Sequence, residues 1–220
     1  MHNASNIRSL VRYTEIVKKN AFSLIELLMV LAIIGILSVV VVTTLRKATD
    51  SAGGVTTGNV KSQLNRAAQL YELDMGFYPP DVNRGWDPGF ERAMPWNPDI
   101  ENGETIPGWA RTSDANCDHC PGDWQDLIAS NWNGPYVSWP QATPWGGRYD
   151  YNYWPNGKTR PNSCVVSPGI YAGAQTYYGD SSGRTSVPDR AERYMIEIGI
   201  DDDKCINGES QLLLFGLGSD

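Results

Sequence analysis

The sequence predicts an α+β fold in which a long N-terminal helix packs on a small C-terminal antiparallel sheet with long loops. Two observations carry this prediction. An apolar run, Phe22–Val42, is followed by residues with helical periodicity, and alternating apolar segments occur only in the last third of the chain. The residues between these regions are rich in proline, glycine, asparagine and aspartate, which is typical of loops.

The apolar run has the length of a membrane-spanning helix. At about 1.5 Å per residue it would extend roughly 31 Å, close to the roughly 30 Å hydrocarbon core of a bilayer. It is too long for a secretory signal core, and no A-x-A cleavage site follows it. The four basic residues before it outnumber the single acidic one, Glu15: they are Arg8, Arg12, Lys18 and Lys19. This bias predicts a cytoplasmic N-terminus and places the rest of the chain outside.

Glu26 is the sole ionisable side chain in the apolar run. A carboxylate in a membrane-spanning segment costs about 2.5–3.5 kcal/mol at the bilayer centre and less near the interface. One interpretation is that Glu26, close to the start of the helix, reaches the lipid headgroups. The other is that it pairs with a cation on a neighbouring subunit, which removes the cost of both charges when the subunits are in register.

The stretch "AFSLIELLMVLAIIGIL" resembles the N-terminal signature of type IV pilins and type II secretion pseudopilins. In that family a prepilin peptidase cuts on the cytoplasmic side, before a phenylalanine, and methylates the new N-terminus. The resemblance implies cleavage between Ala21 and Phe22, N-methylation of Phe22, and pairing of Glu26 with the new α-amino group of a neighbouring subunit. The chain departs from the family in having Ala21 where glycine usually precedes the cut.

This resemblance implies four parts. Residues 1–21 are a cytoplasmic leader peptide that is removed, 22–42 the transmembrane helix and filament core, 43–75 the amphipathic continuation of the helix, and 76–220 a loop-rich globular domain with an antiparallel sheet. The leader holds four basic residues and one acidic residue, so its removal changes the net charge from −7 to −10. Such acidity argues against binding to nucleic acid.

The outer part of the helix is predicted to place one apolar face on the sheet, because the following residues recur at helical spacing: Val60, Leu64, Ala67, Ala68 and Tyr71. Gly53 and Gly54 predict a loosened or bent helix where it leaves the membrane. Gly76 and the "YPP" after it predict the end of the helix.

Residues 77–147 are predicted to form a long, loop-rich connection, and all eight tryptophans lie between Trp86 and Trp154. The indole rings either form the core of a domain with few aliphatic residues, make contacts between subunits, or present a stacking surface for glycans. Alternating residues then predict three strands: Arg148–Trp154, Tyr194–Ile200 and Leu212–Leu217.

Three later pieces resemble the major pseudopilin of type II secretion: "LYELDMGFYPP", "NGPYV" and "TPWGGRYDY". A closing "FGLGSD" resembles the strand end of that group, in which an acidic calcium-binding loop lies nearby. Three consecutive aspartates, Asp201, Asp202 and Asp203, supply oxygen ligands that calcium prefers, although their spacing is not that of an EF-hand. An acidic turn in contact with water explains the same residues.

The four cysteines all lie on the translocated side, where disulfides persist. Four cysteines allow three pairings; the preferred one joins Cys117 to Cys120 and Cys164 to Cys205. A zinc site with thiolate ligands, or with His119 among them, is the alternative, because "CDHC" has suitable spacing. No second CxxC follows.

No catalytic motif is present: His119 is the sole histidine after the leader, and the chain has no nucleophile elbow, phosphate loop or HExxH helix. We therefore expect a protein that is not an enzyme, and the resemblance implies a structural subunit of a periplasmic type II secretion filament.

The resemblance implies the partners of such a subunit. They are further copies of the chain in a helical filament, minor pseudopilins, the prepilin peptidase, an inner-membrane platform protein, an assembly ATPase and inner-membrane lipid. The implied location is a single pass through the inner membrane with the C-terminal domain in the periplasm, and a filament in the periplasm or at the cell surface. Two alternatives are a pilus pilin for adhesion, motility or DNA uptake, and an uncleaved single-pass protein whose domain binds glycans.

Overall fold

The computed structural model describes residues 23–81, 87–96, 117, 119–140, 142–159, 164–175 and 186–217. Three helices and five strands lie within these ranges. The helices are α1 (Leu24–Met75), α2 (Trp124–Asn131) and α3 (Asp189–Glu197). The strands are β1 (Arg148–Trp154), β2 (Lys158–Thr159), β3 (Val165–Val166), β4 (Gly169–Gln175) and β5 (Ser210–Gly216). The chain divides into two compact units, Met1–Thr44 and Leu45–Asp220.

The first unit contains the apolar part of α1. Its most apolar window has a mean hydropathy of 3.0 and no buried residue, so the helix is long and apolar enough to cross a membrane. Leu24 is 77% exposed, and large apolar side chains stay exposed as far as Val42. A contiguous apolar surface of this size requires lipid or other protein chains around it.

The second unit contains a three-stranded sheet with β4 at its centre. β1 and β5 pair with opposite edges of β4, and both pairings are antiparallel. β2 and β3 form a separate two-stranded ribbon. A long helix followed by an antiparallel sheet confirms the predicted α+β fold.

Tyrosines of β1 lie opposite alanines of β4. Tyr149 pairs with Ala174 and Tyr151 with Ala172, and each of these four residues is at most 1% exposed. The small alanines leave room above the sheet for the inner face of α1. That face contributes four buried residues to the same core: Leu64, Ala67, Ala68 and Tyr71. Complete burial of a side chain such as Leu64 contributes about 1.5–3 kcal/mol.

The amphipathic part of α1 matches its prediction. The four residues just named are buried and Val60 packs against them, so the predicted apolar face is confirmed. The helix ends at Met75, and Gly76 adopts a φ of 76°, a left-handed conformation that glycine adopts without steric cost. The predicted helix end is therefore confirmed.

Gly53 and Gly54 have a different role from the predicted one. α1 runs through them as continuous helix, so the prediction that they loosen the helix is wrong. A Cβ atom at Gly53 would lie 2.7 Å from a Trp145 ring carbon, and one at Gly54 would lie 2.8 Å from Cδ1 of Tyr194. The glycines are needed because two aromatic side chains approach the helix backbone at this point.

The predicted strand Tyr194–Ile200 is wrong, because α3 occupies Asp189–Glu197. The prediction assumed that the alternating isoleucines share one buried face of a strand, but Ile198 is exposed. The buried positions Ala191 and Met195 are instead separated by one helical turn. Asp189 and Glu192 in the first turn favour the helix through its dipole.

Four further elements were missed. α2 lies inside the connection 77–147, which was predicted as a loop, and β2, β3 and β4 lie in a stretch for which no strand was predicted. β4 has few large apolar residues: alanines lie opposite Tyr149 and Tyr151, and glycines lie opposite Asp150 and Trp154. The other two predicted strands are confirmed as β1 and, with bounds shifted toward the N-terminus, β5.

Six of the tryptophans lie in the described ranges, and none of the six is exposed. Three of them are buried: Trp124, Trp139 and Trp154. The indole Nε1 of Trp132 donates a hydrogen bond of 2.9 Å to the carbonyl oxygen of Gly89. These positions favour the interpretation of the tryptophans as core residues over that of an exposed stacking surface. Trp86 and Trp109 lie outside the described residues.

We expect Gly54→Leu to destabilise the second unit by about 1–3 kcal/mol, because the new side chain must displace Tyr194 and Met195. The matched control is Asn59→Leu, which places the same side chain at an exposed position of the same helix. Urea unfolding of the two variants, followed by tryptophan fluorescence, measures the difference. Equal stability of both variants would contradict the packing role of Gly54.

Candidate functional site

Glu26 and Ser23 form a capping box at the start of α1. The backbone N–H of Ser23 donates a 2.8 Å hydrogen bond to Oε2 of Glu26. In return the backbone N–H of Ile25 donates a 3.3 Å hydrogen bond to Oγ of Ser23. The carboxylate also lies in the first helical turn, where the helix dipole favours negative charge.

The sequence analysis missed this capping box, although the S-x-x-E spacing of Ser23 to Glu26 is its usual signal. The structure therefore gives Glu26 a role within its own chain, and its role between subunits stays a prediction. Glu26 is exposed, so its carboxylate is open to a partner molecule. Ala21 and Phe22, the predicted processing residues, lie outside the described residues.

The three later pieces that resemble the major pseudopilin come together at the end of α1. In the first piece, Asp74 accepts a 2.8 Å hydrogen bond from the hydroxyl of Tyr136, which belongs to the second piece. The ring of Tyr136 also meets the ring of Tyr71 edge to face, with centroids 5.9 Å apart. The same tyrosine hydroxyl accepts a hydrogen bond of 3.2 Å from the backbone N–H of Asn133.

The third piece joins this cluster through Tyr151. Its hydroxyl donates a 3.0 Å hydrogen bond to the carbonyl oxygen of Pro79, just beyond the end of α1. The turn before β1 is closed by a 2.9 Å hydrogen bond from the N–H of Thr143 to the carbonyl oxygen of Gly147. Segments far apart in the sequence thus form one junction between the helix end and the sheet.

The three predicted calcium ligands have different partners. Asp201 Oδ1 accepts a 3.1 Å hydrogen bond from the N–H of Gln211, and Asp203 Oδ1 accepts one of 2.8 Å from the N–H of Cys205. Asp202 Oδ2 lies 2.6 Å from Nζ of Lys61 on α1. The same oxygen accepts a 2.7 Å hydrogen bond from the N–H of Leu213. Asp202 therefore connects α1 with β5.

Glu192 is an additional buried carboxylate beside Asp203, and the sequence analysis missed it. Its side chain is fully buried, and Oε1 accepts a 3.3 Å hydrogen bond from the N–H of Asn207. Among the described residues no hydrogen-bond partner lies within reach of Oε2. Burial raises the pKa of Glu192 to about 7, and the negative charge of Asp203 adds to the increase. Burial and the charge of Asp203 also raise the pKa of Asp201.

These contacts change the ligand set that calcium would require. The carboxylate of Asp202 already forms an ion pair with Lys61. The oxygens of Asp201, Asp203 and Glu192 remain, and these three buried residues concentrate negative charge that a divalent cation would offset. Within the described ranges they do not form a group of three ligand atoms within 4.8 Å of one another. Calcium binding stays a prediction, and it requires these oxygens to move closer together.

Both disulfides of the structure are the pairs that the sequence analysis preferred. Cys117 is bonded to Cys120 and Cys164 to Cys205. The first pair spans 3 residues of sequence and the second spans 41. In the loop-entropy model the longer loop contributes roughly 4 kcal/mol to stability and the shorter about 2. The Cys164–Cys205 bond, which attaches the start of β3 to the acidic segment before β5, therefore restrains the domain more.

The comparison with protein-family models gives one match, to the prokaryotic N-terminal methylation motif at residues 17–42. This motif is a type IV pilin-like prepilin signal, and it supports processing by a prepilin peptidase. It includes Ala21, Phe22 and Glu26 and ends where the apolar run ends. Neither the curated proteins nor the solved structures contain a match to the chain. The match and the exposed apolar helix are consistent with single-pass anchoring in the inner membrane.

We expect the stability of the second unit to fall as pH rises through the range in which Glu192 ionises. The folded state keeps a proton on Glu192 up to about pH 7, whereas the unfolded chain loses it near the ordinary value of 4.5. The folded state therefore binds more protons between these values, and the loss reaches roughly 3 kcal/mol above them. Glu192→Gln, which stays neutral, removes this contribution.

Urea unfolding near pH 5 and near pH 8, with divalent cations chelated, measures this effect. The control is Glu197→Gln, an exposed change on the same helix, which should leave the pH dependence of the wild type in place. An identical pH dependence in Glu192→Gln and wild type would contradict the assignment. Calcium added near pH 8 should restore more stability to the wild type than to Glu192→Gln if the cation binds there.

Proposed function

We propose that the chain is a structural, non-enzymatic subunit of a type II secretion filament, a pseudopilin. The prepilin peptidase cuts it before Phe22, and residues 22–42 then anchor the mature chain in the inner membrane. The cytoplasmic assembly ATPase and the membrane platform protein then extract it into a periplasmic filament. Minor pseudopilins and further copies of the chain are its partners there.

The observation that carries this proposal is the methylation motif on a helix whose apolar surface is exposed in the single chain. Within a membrane, lipid surrounds this surface, and within a filament the same helix of neighbouring subunits replaces the lipid. The apolar contacts are similar in both environments, so apolar burial alone gives little preference for the filament. A polar interaction made only in the filament is therefore needed to favour assembly.

Glu26 supplies that interaction in our proposal. In the single chain its carboxylate accepts a hydrogen bond from the N–H of Ser23. Cleavage before Phe22 creates an α-amino group, and the same carboxylate of one subunit pairs with this cation of the next. Both hydrogen bonds are charge-assisted, but the α-amino group also carries a positive charge that neutralises the carboxylate, so the exchange of partners favours assembly.

The junction at the end of α1 supports a pseudopilin in particular. The three pieces that resemble the major pseudopilin contact one another there through Tyr71, Asp74, Tyr136, Tyr151 and Pro79. The resemblance to the major pseudopilin therefore rests on residues that pack together, and not on surface segments that do not contact one another. This junction fixes the helix on the sheet, as a subunit requires if the helix is to carry the domain into a filament.

Mass spectrometry of the protein extracted from membranes tests processing directly. We expect a mature N-terminus at Phe22 carrying one methyl group, because residues 17–42 match the methylation motif. Replacing Ala21 with tryptophan should leave unprocessed precursor, since a bulky residue before the cut would not fit a site that usually takes glycine. The same replacement at Asn20 is the control for general disturbance of the leader. An intact Met1 in the wild type would contradict both filament interpretations.

Two substitutions at Glu26 separate its roles. Glu26→Gln keeps a side chain that serves the capping box but removes the charge, whereas Glu26→Ala removes both. We expect both variants to insert in the membrane and both to lose filament incorporation, measured by cross-linking and by electron microscopy of sheared filaments. Normal incorporation of Glu26→Gln with loss in Glu26→Ala would assign Glu26 to helix capping alone. Long surface fibres of the wild type would favour a pilus pilin.

A further inference from the structure

Cys117, His119 and Cys120 bring three metal-ligand atoms together. The two sulfur atoms and a ring nitrogen of the histidine lie within 4.8 Å of one another. In the part of the chain that the structure describes, no other group of three histidine, cysteine, aspartate or glutamate ligand atoms is this compact. All three residues are partly buried, so they are shielded from water without being closed to a small cation.

The carbonyl of Pro79 determines which nitrogen of His119 is available as a ligand. Nε2 lies 3.1 Å from this carbonyl oxygen, which only accepts hydrogen bonds. In the neutral ring Nε2 therefore carries the hydrogen and Nδ1 carries the lone pair. Nδ1 and Nε2 lie 3.5 and 3.6 Å from Sγ of Cys117, so the nitrogen that carries the lone pair is beside the cysteine.

The ring of His119 is also held in place. It stacks on the ring of Tyr153 from β1, with centroids 3.6 Å apart and planes inclined by 16°. The Pro79 carbonyl is fixed in turn by the hydroxyl of Tyr151, which donates a 3.0 Å hydrogen bond to it. A histidine whose second nitrogen donates to a carbonyl is the usual arrangement of metal-binding histidines, because this hydrogen bond fixes the tautomer and orients the ring.

We propose that reduction of the Cys117–Cys120 disulfide converts this group into a binding site for one zinc ion. The ligands are the two thiolates and Nδ1 of His119, with water in the fourth position. A dithiol supplies the reduction: it gives two electrons and two protons, the Cys117–Cys120 bond breaks to two thiols, and the dithiol closes its own disulfide. Zinc then displaces the two thiol protons, which pass to water.

The domain tolerates opening of this bond better than opening of the other. Cys117 and Cys120 lie 3 positions apart in the sequence, so their bond restrains the unfolded chain little. The Cys164–Cys205 bond closes a segment of 41 residues and keeps the acidic segment attached to β3 when the shorter bond opens. The site does not depend on filament assembly, so its test is independent of the proposed function.

The experiment uses the full chain in detergent and increasing amounts of a dithiol. Alkylation and mass spectrometry identify which cysteines become reduced, and we expect Cys117 and Cys120 to react first. Zinc is then titrated anaerobically against a chromophoric chelator after the dithiol is removed. The reduced wild type should bind one zinc ion more than a Cys117→Ser/Cys120→Ser chain, whereas the oxidised wild type should bind no more than that variant.

A variant at His119 and its nitrogen signals test the ligand assignment. His119→Gln should weaken zinc binding at least about tenfold, and Asp126→Asn, an exposed change on the nearby α2, should not. In a His2→Gln chain labelled with ¹⁵N histidine, zinc should shift the Nδ1 resonance of His119 and leave Nε2 protonated. Earlier reduction of Cys164–Cys205, equal zinc binding by the reduced wild type and the double serine variant, or unchanged affinity in His119→Gln would each overturn the proposal.

Discussion

The contact between the inner face of α1 and the sheet is the interaction on which the rest of the second unit depends. Tyr71 lies at its centre, fully buried, with its ring edge to face against Phe77, Phe90 and Tyr136. Aromatic pairs of this kind contribute about 0.5–1.5 kcal/mol each beyond the burial of their area. The helix end, the loop that contains Phe90 and the segment that leads to β1 are therefore organised around one side chain of α1.

Buried carboxylates hold other segments in place through hydrogen bonds and an ion pair. Asp87 accepts hydrogen bonds from the backbone N–H groups of Gly89, Phe90, Glu91 and Arg92, and it thereby holds the loop that delivers Phe90 to the core. Asp50 pairs with Arg190 and connects α1 with α3. These polar groups position a loop and a helix, whereas the core consists of aromatic, aliphatic and small apolar side chains.

The sequence predicted the parts of the molecule that follow a single period. The inner face of α1 and the alternating tyrosines of β1 each have one, and each was correctly assigned, whereas the helix of the apolar run was predicted from its length and composition. Tyr194–Ile200 also alternates, but helix formation prevailed there because Ala191 and Met195 are buried on one helical face and Met195 packs against α1 at Gly54. β4 was missed because its alanines lack the bulk by which strands are recognised.

The residues of the candidate sites were likewise predicted only in part from the sequence. The identity of Glu26 and of the four cysteines was apparent in the sequence, because charge in an apolar run and cysteine count are composition signals. Two partners required coordinates, Pro79 for His119 and Lys61 for Asp202, whereas the S-x-x-E spacing already pointed to Ser23 as a partner of Glu26. Glu192 could not have been selected, since burial of an ordinary helical glutamate is decided by tertiary packing alone.

The distribution of the indole rings gives the protein an internal optical probe. All eight tryptophans lie between Trp86 and Trp154, and residues 23–44 contain neither tryptophan nor tyrosine. Tryptophan emission therefore originates entirely from the unit that begins at Leu45. The six described indoles are shielded from water, so their emission should move to longer wavelength when that unit opens. Detergent or lipid around the apolar helix contributes no such signal, which allows the two parts of one chain to be followed separately.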